Sequence, residues 1–301
     1  MEYSLENEIL RVTVSTRGAE LTGIVDKRTG EQLLWQADPA LWARHAPILF
    51  PYTGRLKDGR FTHRGVVYEG GQHGFARDLE HTLTQQTPAS LTFRLEANAV
   101  TMEKFPFAFW LESRYELEGA VVRHSLAVHN DSDEDMPFGI GYHPAFVCPF
   151  DPARPTGDYV LRFDEPETPQ VVETGADDGL VTGRRYVYFE GGQEIPLTDH
   201  LFDRDSICFT GLKSPGLSLV ERDTGRAVRV GIAGFPYVLI WSKPGPMRFL
   251  CIEPWHSLPD ARDAGGEWAD KPAAATLAPG EEWRCTLPMD FSRRAGAPGQ
   301  G

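Results

Sequence analysis

The sequence lacks the features that mark disulfide frameworks, metal centres and membrane spans. Its 301 residues include only four cysteines, and none of them forms a C-x-x-C pair, so neither a zinc site nor a disulfide scaffold is indicated. No run approaches the roughly 18 consecutive apolar residues of a membrane-spanning helix. The acidic start MEYSLENEIL has no signal-peptide pattern. We therefore expect a soluble, cytoplasmic protein with reduced thiols and without a metal.

Positive charge is also scarce. The chain has 30 Lys and Arg against 43 Asp and Glu, a formal net charge of -13. Such a chain repels the phosphate backbone that nucleic-acid-binding proteins must neutralise, and it repels anionic membrane surfaces as well. We therefore expect neither nucleic acid nor a membrane as a partner.

Familiar cofactor and nucleophile motifs are missing. The sequence has no P-loop, no G-x-S-x-G and no H-E-x-x-H, and GIGYHP at 139–144 lacks the spacing of a dinucleotide-binding loop. The sequence thus predicts no cofactor.

Helical periodicity is weak, and the best candidates are short connecting helices near 38–44 and 198–204. Apolar and polar residues instead alternate with a period of two in many segments, which is typical of half-buried strands. Turn-forming stretches such as ERDTGRA (221–227) separate them. Because strand signals continue without a linker, we predict one all-β domain over residues 1–291, a large antiparallel β-sandwich, followed by a flexible tail at 292–301.

Two acid–base residues stand in unusual contexts. Glu253 ends the apolar run FLCIEPW, and His143 lies between Tyr142 and Pro144 in GYHP. A carboxylate and an imidazole can exchange protons near neutral pH. Each also has a plain structural interpretation: His143 as a hydrogen-bonded core residue, and Glu253 as a partner of Arg55 or Arg248.

Four further residues are candidates for binding a ligand. His73 precedes Gly74, which leaves space for a ligand to approach. Arg55 and Arg77 can form paired hydrogen bonds with hydroxyls or a phosphate, or else be surface charges. Trp255 offers a flat apolar face for a sugar ring, although Trp is also a common core residue.

Taken together, these segments resemble a known family. The ordered series PILFPYTGRL, QHGFARDLE, GYHPAF, LFDRDSICF and CIEPWHSLPD is similar to the aldose 1-epimerase (mutarotase) superfamily, most of all to its bacterial LacX-like branch. The resemblance covers nearly the whole chain, and the motif series is more specific than any one motif. It implies a galactose mutarotase-like β-supersandwich with an open sugar cleft.

The resemblance also implies roles for individual residues. His143 matches the general acid and Glu253 the general base, while His73 and Arg55 match residues that hold sugar oxygens. Asp205 matches the substrate-binding aspartate, with Asp203 as the competing alignment. The chain departs from well-studied galactose mutarotases in having Gly54 in place of Asn before the arginine, and Phe75 in place of the Gly that usually follows HG.

These matches lead us to expect an isomerase that interconverts the α and β anomers of a hexose. Its partner would be a small sugar, and the protein would be a monomer or homodimer. An alternative enzyme is a hexose-6-phosphate 1-epimerase, because HGFAR also resembles that branch and Arg77 could meet the phosphate. An alternative of another class is a non-catalytic carbohydrate-binding protein, since a fold does not guarantee chemistry.

Overall fold

The computed structural model describes residues 1–271 and 275–292, and within them nearly all regular structure is β. The strands, in chain order, are β1 Glu2–Glu6, β2 Leu10–Ser15, β3 Leu21–Asp26, β4 Glu31–Gln32, β5 Ile48–Leu49, β6 Arg60–His63, β7 Val66–Glu69, β8 Thr82–Gln86, β9 Ser90–Glu96, β10 Phe109–Glu118, β11 Val121–Asn130, β12 Met136–Phe138, β13 Gly141–Tyr142, β14 Ala145–Val147, β15 Tyr159–Glu167, β16 Gln170–Thr174, β17 Val181–Val187, β18 Gly192–Pro196, β19 Ile207–Thr210, β20 Gly216–Glu221, β21 Ala227–Gly231, β22 Tyr237–Trp241, β23 Phe249–Trp255, β24 Ala275–Leu277 and β25 Glu282–Asp290.

Two large antiparallel sheets form a sandwich, which confirms the predicted fold class. One sheet has nine strands in the order β18-β15-β20-β21-β25-β11-β10-β9-β8, and the other has eight, ordered β17-β16-β19-β22-β23-β13-β5 with β14 also paired to β23. Smaller sheets, β1-β2-β3-β4, β6-β7 and β12-β24, flank them. The predicted alternation is seen in β10, where every second residue from Phe109 to Leu117 is buried.

Short helices exist, but not where the sequence predicted them. The α-helix α1, Ala99–Met102, begins at Asn98, whose side chain accepts hydrogen bonds from the N–H groups of Val100 and Thr101. Single 3-10 turns lie at Lys57–Gly59, Ala76–Asp78, Thr156–Asp158 and Trp268–Asp270. No helix within the described ranges has both the length and the apolar character needed to cross a membrane.

The predicted helices at 38–44 and 198–204 are wrong, since both segments form turns. In the first, Asp38 closes one turn by accepting the N–H of Trp42 at 2.9 Å, and the chain then leaves the helical path. In the second, isolated turns end at Asp205, whose φ of 81° is left-handed. The predicted tail, 292–301, lies outside the described residues apart from Ser292.

The central strand β23 explains the apolar run that precedes Glu253. Successive side chains of a strand point to opposite faces. Leu250 and Ile252 enter the main core between the two sheets, whereas Phe249, Cys251 and Trp255 belong to small clusters on the other face. Loops cover that outer face, so all seven residues of β23 are buried. Glu253 shares the outer face and is 1 % exposed.

A buried ion pair holds the segment that follows β23. Asp260 pairs with Lys271, and the two side chains are 7 % and 2 % exposed. Asp260 also accepts the N–H of Lys57 at 2.9 Å through its carboxylate and donates its own N–H to the carbonyl of Arg55 at 3.0 Å. This pair therefore ties the segment after β23 to the segment that carries Arg55.

We expect Lys271→Met to lower the free energy of unfolding by about 3–5 kcal/mol, because it leaves the buried Asp260 carboxylate without its cation. Adding Asp260→Asn removes that stranded charge and should recover part of the loss. The control is Glu116→Gln, which breaks a pair with Arg114 whose side chains are both 40 % exposed; its loss should stay below about 1 kcal/mol. Urea unfolding measures all three. Equal losses in Lys271→Met and Glu116→Gln would contradict the structural role of the buried pair.

Candidate active site

A cleft of about 300 Å³ lies on the outer face of the eight-stranded sheet, around Glu253. This volume is at the small end of the range for ligand pockets and suits a single sugar ring. All seven residues selected from the sequence contribute to its lining: Arg55, His73, Arg77, His143, Asp205, Glu253 and Trp255. They come from five separate segments of the chain, and the fold brings them together.

Glu253 and His143 are in direct contact on the floor of the cleft. The Nε2 atom of His143 lies 3.2 Å from Oε2 of Glu253, and the side chains are 9 % and 2 % exposed. His143 follows β13, a neighbour of β23 in the sheet, so the pairing of strands sets this distance. Among the described residues, neither Arg55 nor Arg248, the ion-pair partners that the sequence left open, lies within ion-pair distance of Glu253.

Burial shifts both groups towards their neutral forms. It raises the pKa of Glu253 well above its ordinary value, and the nearby Asp205 carboxylate adds to the rise. Trp255 opposes the shift, although its Nε1 has no hydrogen bond of regular geometry. Burial, with a smaller contribution from the Arg77 cation, lowers the pKa of His143. The pair is therefore favoured with one titratable proton shared between the carboxyl group of Glu253 and the imidazole of His143.

His73 is fixed in one orientation by a backbone clamp. The N–H of Gly54 donates to Nδ1 of His73 at 2.9 Å, and the N–H of His73 donates to the carbonyl of Gly54 at 2.7 Å. Burial holds the pKa of His73 well below its ordinary value, so the ring is neutral. A neutral imidazole that accepts at Nδ1 carries its proton on Nε2. His73 therefore offers an Nε2–H donor to a ligand.

Gly54 and Phe75, the two departures from the galactose mutarotase pattern, both have a packing reason. Gly54 has a φ of +68°, and a Cβ there would lie 2.3 Å from Cγ of Pro259. An asparagine at position 54 would meet the same obstacle. Phe75 is 5 % exposed and packs against Phe50 and Phe109, so its ring fills the core beneath the cleft.

Arg77 brings a partly buried cation into the cleft. Its Nη2 donates to the carbonyl of Gln72 at 2.6 Å, while its Nε is buried without a hydrogen-bond partner. Burial and the neighbouring Arg44 lower its pKa. Asp78 is only a distant partner, with 4.0 Å between its carboxylate and Nε of Arg77. The guanidinium therefore retains hydrogen-bonding capacity for an oxygen-rich ligand.

The structure separates the two aspartates that the sequence alignment left open. Asp205 lines the cleft; burial raises its pKa, while the N–H of Ser206 and the Arg55 cation counteract the rise. Asp203 is exposed and pairs with Nδ1 of His200 at 3.0 Å, outside the cleft. Asp205 is thus the one of the two within reach of a ligand in the cleft.

Two aromatic walls were missed by the sequence analysis. Trp42 stacks on His143 with 4.8 Å between ring centroids, and Trp241 meets the same ring edge-on at 6.1 Å. Trp42 lies in the segment that was interpreted as a helix. Trp241 and Leu239 share one face of β22, and both line the cleft. A period-two pattern alone does not distinguish a cleft wall from a covered core.

A possible ligand set for a metal ion was also missed. Ligand atoms of His143, Cys251 and Glu253 lie within 4.8 Å of one another, and all three residues are buried. Cys251 and Glu253 share one face of β23, but His143 is more than a hundred positions away in the chain, so no local spacing reveals the group. All four cysteines lie in the described ranges and are free thiols.

Comparisons with known proteins agree with the family resemblance. The sequence model of the family described as aldose 1-epimerase matches residues 1–289. The plasmid-encoded protein LacX of Lactococcus lactis subsp. lactis is 34% identical over 305 residues, covering 98% of both chains.

Solved structures give the same result. A galactose mutarotase related enzyme from Lactobacillus acidophilus has a TM-score of 0.93 at 33% identity, covering 98% of this chain and 99% of its own. A galactose mutarotase-like protein from Lactobacillus casei has a TM-score of 0.89 at 29% identity, covering 96% of this chain and 99% of its own.

We expect Gly54→Ala to destabilise the protein more than Gly30→Ala does. Both glycines have a positive φ, +68° and +78°, but a Cβ at Gly30 has no atom within 4 Å. The left-handed backbone alone costs an alanine about 1–3 kcal/mol, and Gly54→Ala adds the collision with Pro259. Urea unfolding of the two variants isolates the collision. Equal losses would contradict the close packing of Gly54 against Pro259.

Proposed function

The chain belongs to the aldose 1-epimerase family, and we propose that it interconverts the α and β anomers of a hexose by acid–base ring opening and reclosure. The observation that carries the proposal is the contact between Nε2 of His143 and Oε2 of Glu253 on the cleft floor. One proton held between a neighbouring imidazole and carboxyl provides one donor and one acceptor, and the reaction needs one of each.

The geometry of a sugar explains why the acid and the base must be neighbours. The anomeric hydroxyl and the ring oxygen are bonded to the same carbon, C1. The base removes the proton of that hydroxyl while the acid protonates the ring oxygen, and the bond from C1 to the ring oxygen breaks. Rotation about C1–C2 presents the other face of the aldehyde, and the same transfers in reverse close the ring. By the family resemblance, Glu253 is the base and His143 the acid. These roles require the proton of the pair to lie on His143 when the sugar reacts, the reverse of the distribution that burial favours in the empty cleft.

The other cleft residues hold the ring in place. His73 donates from Nε2 to a sugar oxygen, Arg55 donates through its guanidinium, and Asp205 accepts from a sugar hydroxyl. Trp255 provides an apolar face that suits the C–H surface of a pyranose. Each correctly placed acid or base contributes about 10²–10⁴-fold to the rate, so the pair can account for much of the acceleration of a reaction that already proceeds in water.

We expect Glu253→Gln to lower the initial polarimetric rate with α-glucose by about 10²–10⁴-fold while leaving sugar affinity largely intact. The amide keeps the shape of the side chain but cannot accept a proton at neutral pH. His143→Asn should have a similar effect, and the double variant should lose little more than either single one, because the two residues act as a unit.

The matched control is Glu167→Gln. Glu167 is also buried, at 3 % exposure, and accepts the N–H of Lys213 at 2.7 Å outside the cleft. Its substitution should lower the melting temperature without a comparable loss of turnover. A Glu253→Gln protein that keeps nearly normal turnover but melts many degrees lower would show that Glu253 is structural. A wild-type protein that binds sugars but accelerates no anomerisation would support the non-catalytic alternative.

A second candidate function, hexose-6-phosphate 1-epimerase, is favoured by the Arg77 guanidinium, which faces the cleft with its Nε unpartnered. A phosphate would supply a further acceptor for this cation, beyond the Gln72 carbonyl and the distant Asp78 carboxylate. The same acid and base would serve for either substrate. Only the anchoring of the sugar differs.

The effect of Arg77→Ala on free and phosphorylated sugars separates the two candidates. If a phosphate binds there, the Michaelis constant for glucose 6-phosphate should rise about 10–100-fold, the equivalent of a charge-assisted hydrogen bond of about 1.5–3 kcal/mol, with little change for glucose. Arg77→Lys should retain part of the effect. Arg114→Ala removes an equal charge far from the cleft and serves as the control. An equal rise for both sugars with Arg77→Ala would reject the phosphate role.

A further inference from the structure

Next to His143 and Glu253, behind the lining of the cleft, lies a third ligand-type group that the proposed reaction does not use, the thiol of Cys251. Cys251 and Glu253 are two positions apart on β23 and share its outer face. The sulfur, a ring nitrogen of His143 and a carboxylate oxygen of Glu253 all lie within 4.8 Å of one another. Exposures of 0 %, 7 % and 1 % for Cys251, His143 and Glu253 mean that little water competes for this set.

The three donors match the preferences of zinc. Zn²⁺ binds sulfur at about 2.3 Å and nitrogen or oxygen at about 2.0–2.2 Å, so its ligand atoms in a tetrahedral site lie about 3.3–3.8 Å apart. The ligand atoms of His143, Cys251 and Glu253 now lie within 4.8 Å of one another. Rotation of these side chains, without a change of fold, would bring them to the spacing of a zinc site. A sulfur and an imidazole also select Zn²⁺ against Mg²⁺ and Ca²⁺, which prefer oxygen ligands.

Two buried atoms without hydrogen-bond partners, and a path from the cleft, also favour a bound zinc ion. Oε1 of Glu253 and Nδ1 of His143 are buried and have no hydrogen-bond partner, so both residues retain donor capacity for an ion. His143 and Glu253 line the cleft, which provides an entry path and leaves a fourth coordination position open. Trp42 and Trp241 pack beside Cys251 and keep the thiol away from solvent.

We propose that His143, Cys251 and Glu253 form a binding site for Zn²⁺ that competes with the sugar. Binding releases the proton of the Cys251 thiol and the proton shared by the other two residues, because zinc ligands must be deprotonated. The ion then occupies both proton-transfer groups and inhibits the epimerase. The site is a property of the folded cleft, so it can be tested whether or not the proposed reaction is correct.

The primary test is direct metal binding to tag-free protein. Equilibrium dialysis in zinc buffers should give one tight site per chain, and Co²⁺ in its place should show the ultraviolet charge-transfer band of a thiolate ligand. Cys251→Ala should weaken zinc binding at least about tenfold, the lower end of what even an indirect partner of a metal ligand costs, and abolish the band. Excess glucose should weaken zinc binding to the wild-type protein.

Cys208→Ala is the matched control. Cys208 is buried too, and it lies close enough that Glu253 contributes to raising its pKa, yet it is not in the cluster. Its substitution should leave zinc affinity and the cobalt band unchanged. Zinc affinity equal in wild type and Cys251→Ala, a band that disappears in Cys208→Ala instead, or no thiolate band in wild type would each overturn the proposal; the last holds even if Cys251→Ala fails to fold.

Discussion

The contact between the His143 imidazole and the Glu253 carboxyl is the interaction on which the cleft depends. A carboxyl group at 1 % exposure is costly unless it is neutral or partnered. Here it is partnered by a ring that lies on the neighbouring pair of strands. Because β23 lies inside its sheet, its position cannot shift without disturbing both faces, and this strand and the short strands on either side of His143 fix the proposed acid–base pair. Loops contribute Arg55, His73 and Asp205 to the lining of the cleft.

Much of the fold follows from local patterns in the sequence. Alternation along β10 predicts a half-buried strand, and every second residue of that strand from Phe109 to Leu117 is buried. β23 is different because its two faces enter two separate buried environments, so FLCIEPW is a continuous apolar run with a single acid. Such a run leaves open whether the acid faces the core or a cleft. The segment that carries Trp42 was wrongly predicted to be a helix. A single turn closed by Asp38 has the same local sequence signals as the start of a helix, so the sequence cannot separate the two.

Motifs in the sequence pointed to residues that the fold brings together in one cleft, but not to their mutual geometry. Each of Arg55, His73 and Asp205 is marked by its local context or by the family resemblance, and all three line one cleft. Asp205 lines the cleft and Asp203 does not, although the two acids are only two positions apart; Asp205 has a left-handed φ of 81°, which the sequence does not reveal. The tautomer of His73 depends on a hydrogen bond from Gly54. Such long-range contacts have no signature in a single sequence.

The charged side chains that line the cleft are mainly positive, whereas the chain as a whole is negative. The protein carries a formal net charge of -13, yet Arg55 and Arg77 line a cleft whose floor carboxyl, Glu253, is shifted towards its neutral form. Asp205 is then the main anion that faces them, and its pKa is raised as well. Since interactions of exposed charges are screened beyond about 8–10 Å in physiological salt, a ligand in the cleft experiences these few groups more than the remote surface acids. Net charge therefore argues against polyanionic partners such as nucleic acid, but it does not exclude a small anionic sugar.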